Sequence, residues 1–151
     1  MSGGGAAGAA GQDGSPQAAA ALLASLRFAY RIVEAAEWAE ASAVGLYSGT
    51  AMDAKDGFLH LSLAGEVLTT ARLYFSAHPG PLLVLQVDLH ALPGAEVRAD
   101  WVAQRGAFFP HVLGGEGRSF AIPTAAVTRV LTLTKAAGGG GEWEGFDVEG
   151  A

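Results

Sequence analysis

The chain has 151 residues, half of them apolar, and a net charge of −6. This length and apolar content suit one folded domain whose core needs neither disulfides nor metal. The sequence has no cysteine, which excludes disulfide frameworks, thiol nucleophiles and thiolate zinc sites. Residues 28–135 carry a net charge of only −2, and their Lys and Arg residues are scattered singly. The basic stripe of a nucleic-acid-binding protein is therefore absent. We therefore expect no nucleic-acid partner.

The sequence predicts no membrane partner. No apolar run approaches the roughly 20 residues that cross a bilayer. The first basic residue is Arg27, so the chain lacks the basic region that precedes the apolar part of a secretory signal. We predict a cytoplasmic protein, and an organelle transit peptide in the Ala/Ser/Gly-rich N-terminal stretch stays open as an alternative. No sequence feature indicates an oligomeric state.

The N-terminal extension, residues 1–27, is predicted to be disordered or partly helical. Residues 1–16 form a Gly/Ala/Ser tract, which cannot bury enough apolar area to offset its ordering entropy. Residues 17–26 are rich in Ala and Leu, and this composition favours a short helix.

The C-terminal residues 136–151 are predicted to form a flexible acidic tail. Four consecutive glycines open it, and it carries a net charge of −4. Only Trp143 and Phe146 are large enough to dock on a folded surface. The folded domain is thus predicted at residues 28–135.

The folded part opens with a predicted strand and helix. Residues 28–33 are short, aromatic and β-branched, as in a strand. Residues 34–43 have acids in the first turn and good helix formers, with Gly45 just beyond, which predicts a helix with a glycine C-cap and Trp38 as its anchor. Residues 47–57 are predicted to be turn-rich.

The next predicted pair is a strand at residues 58–63, with Leu59, Leu61 and Leu63 on its core face, and a helix that runs to about Ala77. Ser62 is predicted to cap this helix. The helix has apolar residues at three- and four-residue steps: Val67, Leu68, Ala71, Tyr74 and Phe75.

The second half is predicted to be mostly strands. Residues 82–87 form a continuous apolar run, typical of a central strand covered on both faces. Shorter strands are predicted around Val97, at 108–113 and at 120–122. A last strand is predicted at 127–134, with three apolar residues on one side: Val127, Leu131 and Leu133. Two main helices followed by strands indicate an α+β fold.

Two segments each place a histidine among apolar neighbours, His60 in residues 56–62 and His111 in residues 108–114. Pro110 restricts the backbone before His111 and fixes the angle of that side chain. If both histidines face one cleft, they form a candidate site, because acid–base chemistry needs titratable groups clustered in a concavity. The alternative is that each is a hydrogen-bonded structural residue.

The sequence predicts no metal site. Asp56, Asp88 or Asp100 could supply a third ligand, but no two histidines have the helical i, i+4 spacing of a metal pair. His78 lies in a Pro/Gly turn and His90 follows a strand end, so we expect both in exposed loops.

Other chemistries find weaker support. Ser62 lies two residues from His60, yet the Gly-x-Ser-x-Gly motif of a serine hydrolase does not surround it. Arg31, Tyr47 and Arg105 are candidates for anion or aromatic contacts, with ordinary half-buried or surface positions as the alternative.

Several segments come in the order found in the domain of unknown function 952 family, which the chain resembles over about residues 28–134. They are Tyr30–Val33, Trp38, Leu46–Tyr47, Asp56–Ser62, Leu82–Asp88 and Phe109–His111. The chain departs from the family at Val112-Leu113, where the family usually has Leu-Tyr. The acidic residue that the family carries before this motif has Asp100 as its nearest counterpart.

That resemblance implies an ADP-ribosyltransferase-like fold, a small single domain with a curved, split, mostly antiparallel sheet and two main helices. It also implies a cleft for an NAD-like dinucleotide, although the family has no established activity. The predicted catalytic residues are His60 and His111, and the predicted ligand contacts are Arg31, Tyr47, Ser62 and Phe58. ADP-ribosyl transfer is the reaction this predicts; the alternative is a non-enzymatic interaction or structural domain.

Overall fold

A computed structural model describes residues 13–115, 119–135 and Trp143. The helices in this part of the chain are Pro16–Ser25 (α1), Ala35–Val44 (α2), Ala51–Asp56 (α3) and Val67–Tyr74 (α4). The strands are Phe28–Val33 (β1), Leu46–Tyr47 (β2), Leu59–His60 (β3), Leu82–Asp88 (β4), Ala95–Val102 (β5), Ala107–Gly114 (β6), Ile122–Pro123 (β7) and Val127–Leu133 (β8). The disorder predicted for residues 1–12, and the flexibility predicted for 136–142 and 144–151, fall outside the described residues.

The strands form three antiparallel sheets with the orders β1-β4-β8, β2-β7 and β3-β6-β5. A bridge between Tyr30 and Ser62 connects the first sheet to the third. The predicted α+β class with antiparallel strands is confirmed. The two main predicted helices are α2 and α4, α1 corresponds to the short helix predicted for residues 17–26, and α3 was not predicted. None of these helices combines the length and apolarity needed to span a membrane.

Strand β4 is the central strand that its apolar run predicts, with β1 and β8 on either side. Because side chains alternate between the faces of a strand, β4 contributes to two separate cores. Leu85 and Val87 pack in a cluster with Tyr47 and Leu59. Leu82 and Val84 pack in a second cluster beneath α4.

Helix α2 ends as the sequence predicts. Gly45 follows its last residue with a φ of 86°, and the Gly45 N–H donates to the Ala41 carbonyl at 2.7 Å. Only glycine adopts this left-handed conformation without strain. Trp38 is half-buried against the first core cluster, as expected for an anchor.

The prediction of turns over residues 47–57 was wrong, because this stretch contains α3. Thr50 and Asp53 form a capping box, in which each side chain accepts a hydrogen bond from the other residue's backbone N–H. Gly57, at φ 89°, ends the helix. A helix of six residues is too short to show a 3.6-residue period, and its caps are the signals that sequence reasoning missed.

Two predictions around Ser62 need correction. The strand here is limited to Leu59–His60, although Leu59 and Leu61 are buried as the alternation predicts. Ser62 does not cap a helix: a 3-10 turn comes between it and α4, and its hydroxyl lies 3.3 Å from that of Thr70. The backbone N–H and C=O of Ser62 pair with Tyr30 instead.

Two further predictions were wrong at single elements. Val127 does not share a face with Leu131 and Leu133, because the pairing of β8 with β4 shifts register beside Val87, and an extra residue reverses the side-chain alternation.

Ser15 and Pro16 belong to the start of α1 rather than to a disordered tract. The Ser15 hydroxyl accepts from the Ala18 N–H at 3.0 Å, and Pro16 takes the first helical position, which it favours.

Trp143 docks in the second core cluster, as its size predicts. It is 2% exposed, and its indole N–H donates to the Phe75 carbonyl at 3.1 Å. The Lys135 ammonium lies 5.1 Å from the ring centroid. The chain beyond β8 therefore supplies part of the core.

We expect Trp143→Ala to lower the free energy of unfolding by about 3–5 kcal/mol, the usual cost of removing a large buried aromatic side chain. Trp143→Phe keeps most of the buried apolar area and should cost less. Urea unfolding followed by far-UV circular dichroism measures both. An alanine variant as stable as the wild type would show that the indole is not part of the core.

Candidate functional site

A cleft of about 690 Å³ opens where β1, β3 and β6 meet α3 and α4. Its apolar lining includes aromatic and aliphatic side chains: Tyr30, Ile32, Leu61, Tyr74, Phe75 and Phe109. Its polar lining includes Arg31, Asp53, Asp56, His60, Ser62 and His111. A mostly apolar concavity with a few convergent polar groups is the usual form of a small-molecule site.

The structure brings four of the six predicted site residues to this cleft: Arg31, His60, Ser62 and His111. The other two lie behind the wall. Tyr47 is 3% exposed beneath Arg31, and Phe58 stacks on the His111 ring with centroids 4.2 Å apart. Tyr47 and Phe58 therefore support cleft residues and do not line the cleft themselves.

The buried carboxylate of Asp53 joins the elements of the site. It is 1% exposed and accepts six hydrogen bonds. Arg31 donates two of them at 2.9 and 2.6 Å. The Thr50 N–H and hydroxyl donate at 2.7 and 2.9 Å, and His60 contributes its backbone N–H at 3.1 Å and its ring Nδ1 at 2.7 Å. The carboxylate thus ties β1, β3 and the start of α3 together.

Gly49 makes room for this carboxylate. Its φ is 88°, and a Cβ at this position would lie 2.7 Å from Asp53 Oδ2 and 2.5 Å from a methyl carbon of Leu59. Any other residue would therefore clash as well as strain the backbone. The turn before α3 is thus fitted to the buried acid.

Most of the Arg31 donors are already engaged. Besides its two bonds to Asp53, the guanidinium donates from Nε to the Tyr47 hydroxyl at 3.1 Å and from Nη1 to the His60 carbonyl at 2.8 Å. The Tyr47 hydroxyl in turn donates to Glu37 at 3.1 Å. Burial raises the Tyr47 pKa well above its ordinary value, so this hydroxyl stays protonated. Of the five guanidinium N–H groups, one on Nη2 has no partner among the described residues.

His60 lies between two carboxylates. Its Nδ1 is 2.7 Å from Asp53 and its Nε2 is 2.8 Å from Asp56. Ionised carboxylates only accept hydrogen bonds, so this geometry favours a ring protonated on both nitrogens. The hydrogen bond to Asp53 raises the His60 pKa above its ordinary value, against the opposing effect of burial.

His111 has a different environment. Its Nδ1 lies 2.5 Å from Asp100 on the neighbouring strand. Burial lowers its pKa below the ordinary value, and Asp100 opposes this shift. His60 and His111 are register partners across β3 and β6, with ring centroids 5.2 Å apart. Two histidines of opposite pKa shift therefore lie side by side at the cleft.

Sequence reasoning missed the role of Asp53, and it proposed Asp100 only as a metal ligand or as the family's acidic residue. Arg105, a candidate for anion contacts, lines the cleft but pairs with Glu66 at 2.8 Å and Thr70 at 3.0 Å. Within residues 13–115, 119–135 and Trp143, no group of three or more histidine or acidic side chains is arranged to hold a metal ion.

The sequence profile of the family described as "Protein of unknown function (DUF952)" matches residues 32–130. The chain belongs to this family. Among solved structures, the crystal structure of protein CC0527 from Caulobacter crescentus is 30% identical, covers 78% of this chain and 93% of its own, and has a TM-score of 0.62. The solution structure of CC0527 is 31% identical, covers 74% of this chain and 89% of its own, and has a TM-score of 0.57. No curated protein matches the sequence.

Replacing Asp53 with Asn should lower the free energy of unfolding by about 3–5 kcal/mol, because it leaves the Arg31 charge buried without its partner. Asp56→Asn is the matched control. Asp56 is 38% exposed, so losing its charge should cost at most about 1 kcal/mol. Urea unfolding at pH 7 measures both variants, and equal losses would contradict the central role of Asp53.

Asp53→Asn should also change how the free energy of unfolding responds to acid. The Asp53 pKa is lowered in the folded protein by its bonds to His60 and Arg31, against burial. The ionised Asp53 carboxylate therefore stabilises the fold above the unfolded-state pKa of about 3.9, and this contribution is lost as the pH falls below that value. We expect the wild type to lose more stability than Asp53→Asn between about pH 5 and pH 2. Parallel losses would argue that Asp53 is not ionised in the fold.

Proposed function

We propose that the cleft binds a nucleotide-like small molecule of NAD type. The observation that carries this proposal is that Arg31, His60 and His111 share one cleft walled by aromatic side chains. The cleft volume of about 690 Å³ lies in the range of about 300–1,000 Å³ usual for small-molecule sites.

The cleft chemistry fits the base and ribose of such a ligand. Tyr30, Tyr74 and Phe109 offer rings on which a base can stack, and aromatic stacking adds to the burial of apolar surface. His111 and the Ser62 hydroxyl offer polar contacts to ribose hydroxyls. Arg31 has one N–H without a partner in the described part of the chain, so it suits a ribose oxygen better than a pair of phosphates.

The proposal extends to an ADP-ribosyltransferase-like fold and to ADP-ribosyl transfer. It is supported by an Arg on the first strand, a His-x-Ser segment that joins the Arg strand through the Tyr30–Ser62 bridge, and a histidine from the facing strand. Fold alone does not determine a reaction, so ligand binding is the step to test first.

Isothermal titration calorimetry with NAD, ADP-ribose, AMP and nicotinamide tests the proposal. We expect a saturable signal for at least one adenosine-containing ligand. His111→Gln should weaken it about tenfold, which corresponds to the loss of one hydrogen bond of about 1.4 kcal/mol. His90→Gln is the matched control, since His90 is exposed and outside the cleft. No heat from any of the four ligands with wild-type protein would reject the proposal.

A second candidate function, a non-enzymatic interaction domain with structural histidines, is favoured by one observation. Both ring nitrogens of His60 are engaged by acids of the protein itself. That is the arrangement of a side chain that holds β3 against α3, and it leaves neither ring nitrogen for a hydrogen bond to a ligand.

This alternative makes a prediction about stability. A raised folded pKa means that protonated His60 stabilises the fold fully below its unfolded pKa of about 6.5 and that this contribution is lost as the pH rises through the folded value. The difference in unfolding free energy between wild type and His60→Gln should therefore be larger at pH 5.5 than at pH 9. A difference that is independent of pH, while His90→Gln matches the wild type, would contradict it.

A further inference from the structure

The two cleft histidines differ in which ring nitrogens are free. His60 uses both nitrogens on Asp53 and Asp56, whereas His111 uses only Nδ1, on Asp100. In the part of the chain that the structure describes, none of the hydrogen bonds involves His111 Nε2, yet no fully buried side-chain nitrogen or oxygen there lacks a partner. His111 Nε2 is therefore not fully buried. Because His111 lines the cleft, this nitrogen can be reached from the cleft.

The hydrogen bond to Asp100 sets the tautomer of His111. An ionised carboxylate can only accept, so Nδ1 carries the hydrogen and the neutral ring presents its lone pair on Nε2. A carboxylate that orients a histidine in this way is the usual arrangement behind a general base.

Two features fix the position of the His111 ring: a stacked aromatic side chain and the strand that carries it. Phe58 stacks against it at an interplanar angle of 22°. The strand that carries it, β6, is the middle strand of its sheet, with β3 on one side and β5 on the other. The base is therefore held in place before a ligand arrives, as proton transfer requires.

We propose that His111 is a general base for a hydroxyl group or water held in the cleft, oriented by Asp100, and that His60 is a fixed imidazolium beside it. This inference rests on the proposed function, since it requires a small molecule in the same cleft. It assigns to His111 the acid–base role that the sequence predicts for both histidines.

The step moves one proton. The O–H bond of a ligand hydroxyl or of water breaks, its electron pair stays on the oxygen, and the hydrogen forms an N–H bond at His111 Nε2. His111 becomes an imidazolium paired with Asp100. The His60 ring centroid lies 5.2 Å from that of His111, but its charge is balanced by Asp53 and Asp56, so the new oxyanion is paired chiefly with the imidazolium of His111.

The charged groups around His111 agree with this role. Burial, His60 and Arg98 lower the His111 pKa, and Asp100 raises it, with a net shift downward. The net effect leaves the ring neutral near pH 7, so Nε2 is ready to accept a proton. His60, with its pKa shifted upward, keeps its charge to higher pH.

Nuclear magnetic resonance of the ¹⁵N-labelled full chain tests the assignment, because the ring ¹⁵N shifts report the tautomer and charge of each histidine. At pH 7 we expect His111 to be neutral with its hydrogen on Nδ1, and His60 to carry hydrogen on both nitrogens. Hydrogen on Nε2 of a neutral His111, or a His60 that titrates below the ordinary histidine value of about 6.5, would overturn the inference.

Asp100→Asn separates orientation from folding. We expect the variant to remain folded, to lower the His111 pKa further and to populate the Nε2–H tautomer, since an amide can donate to Nδ1 as well as accept from it. An unchanged tautomer and pKa would show that Asp100 does not orient the base. Because these readings use the ligand-free protein, a failed nucleotide titration would reject the proposed function and leave them unaffected.

Discussion

The rest of the site depends on one buried carboxylate. Asp53 accepts from Arg31 on β1, from His60 on β3 and from Thr50 at the start of α3. A shift of any one of these elements breaks hydrogen bonds made by the others. The relative positions of β1 and β3, and through β3 the register of His60 against His111, are therefore linked to a single side chain.

A charge buried to this degree has a large desolvation penalty, several kcal/mol for each ion after relaxation. Six hydrogen bonds, two of them from the Arg31 guanidinium, offset that penalty at Asp53. Such networks contribute more to a unique geometry than to net stability, because every donor has only one satisfactory position. The gain here is a preorganised set of polar side chains in a largely apolar cleft, in which two imidazoles with centroids 5.2 Å apart have different environments.

The regular elements follow closely from local sequence. Strand β4 is predicted by an uninterrupted apolar run, and α2 by its first-turn acids and Gly45, because these signals lie within a few residues of one another. Helix α3 and the register shift in β8 were missed. A six-residue helix shows no period, and a shift in pairing depends on the partner strand rather than on the strand itself.

The candidate site was also predictable from the sequence only in part. The two histidines are recognisable because each lies in a distinctive apolar segment. The carboxylates that give them opposite pKa shifts are not recognisable, since Asp53 is seven residues before His60 and Asp100 is eleven before His111. Only folding brings them together. Tyr47 and Phe58 show the reverse error: both are close to the site in space, yet they lie behind its wall, and sequence patterns do not distinguish these positions.

The docking of Trp143 affects where this domain ends. The family profile stops at residue 130, three residues before the end of β8 and well before Trp143, which belongs to the second core cluster with Leu82 and Leu133. A fragment cut at the profile boundary would leave β4 without part of its neighbour and expose an apolar surface to water. The family match therefore identifies the chain but understates the length of sequence that its fold requires.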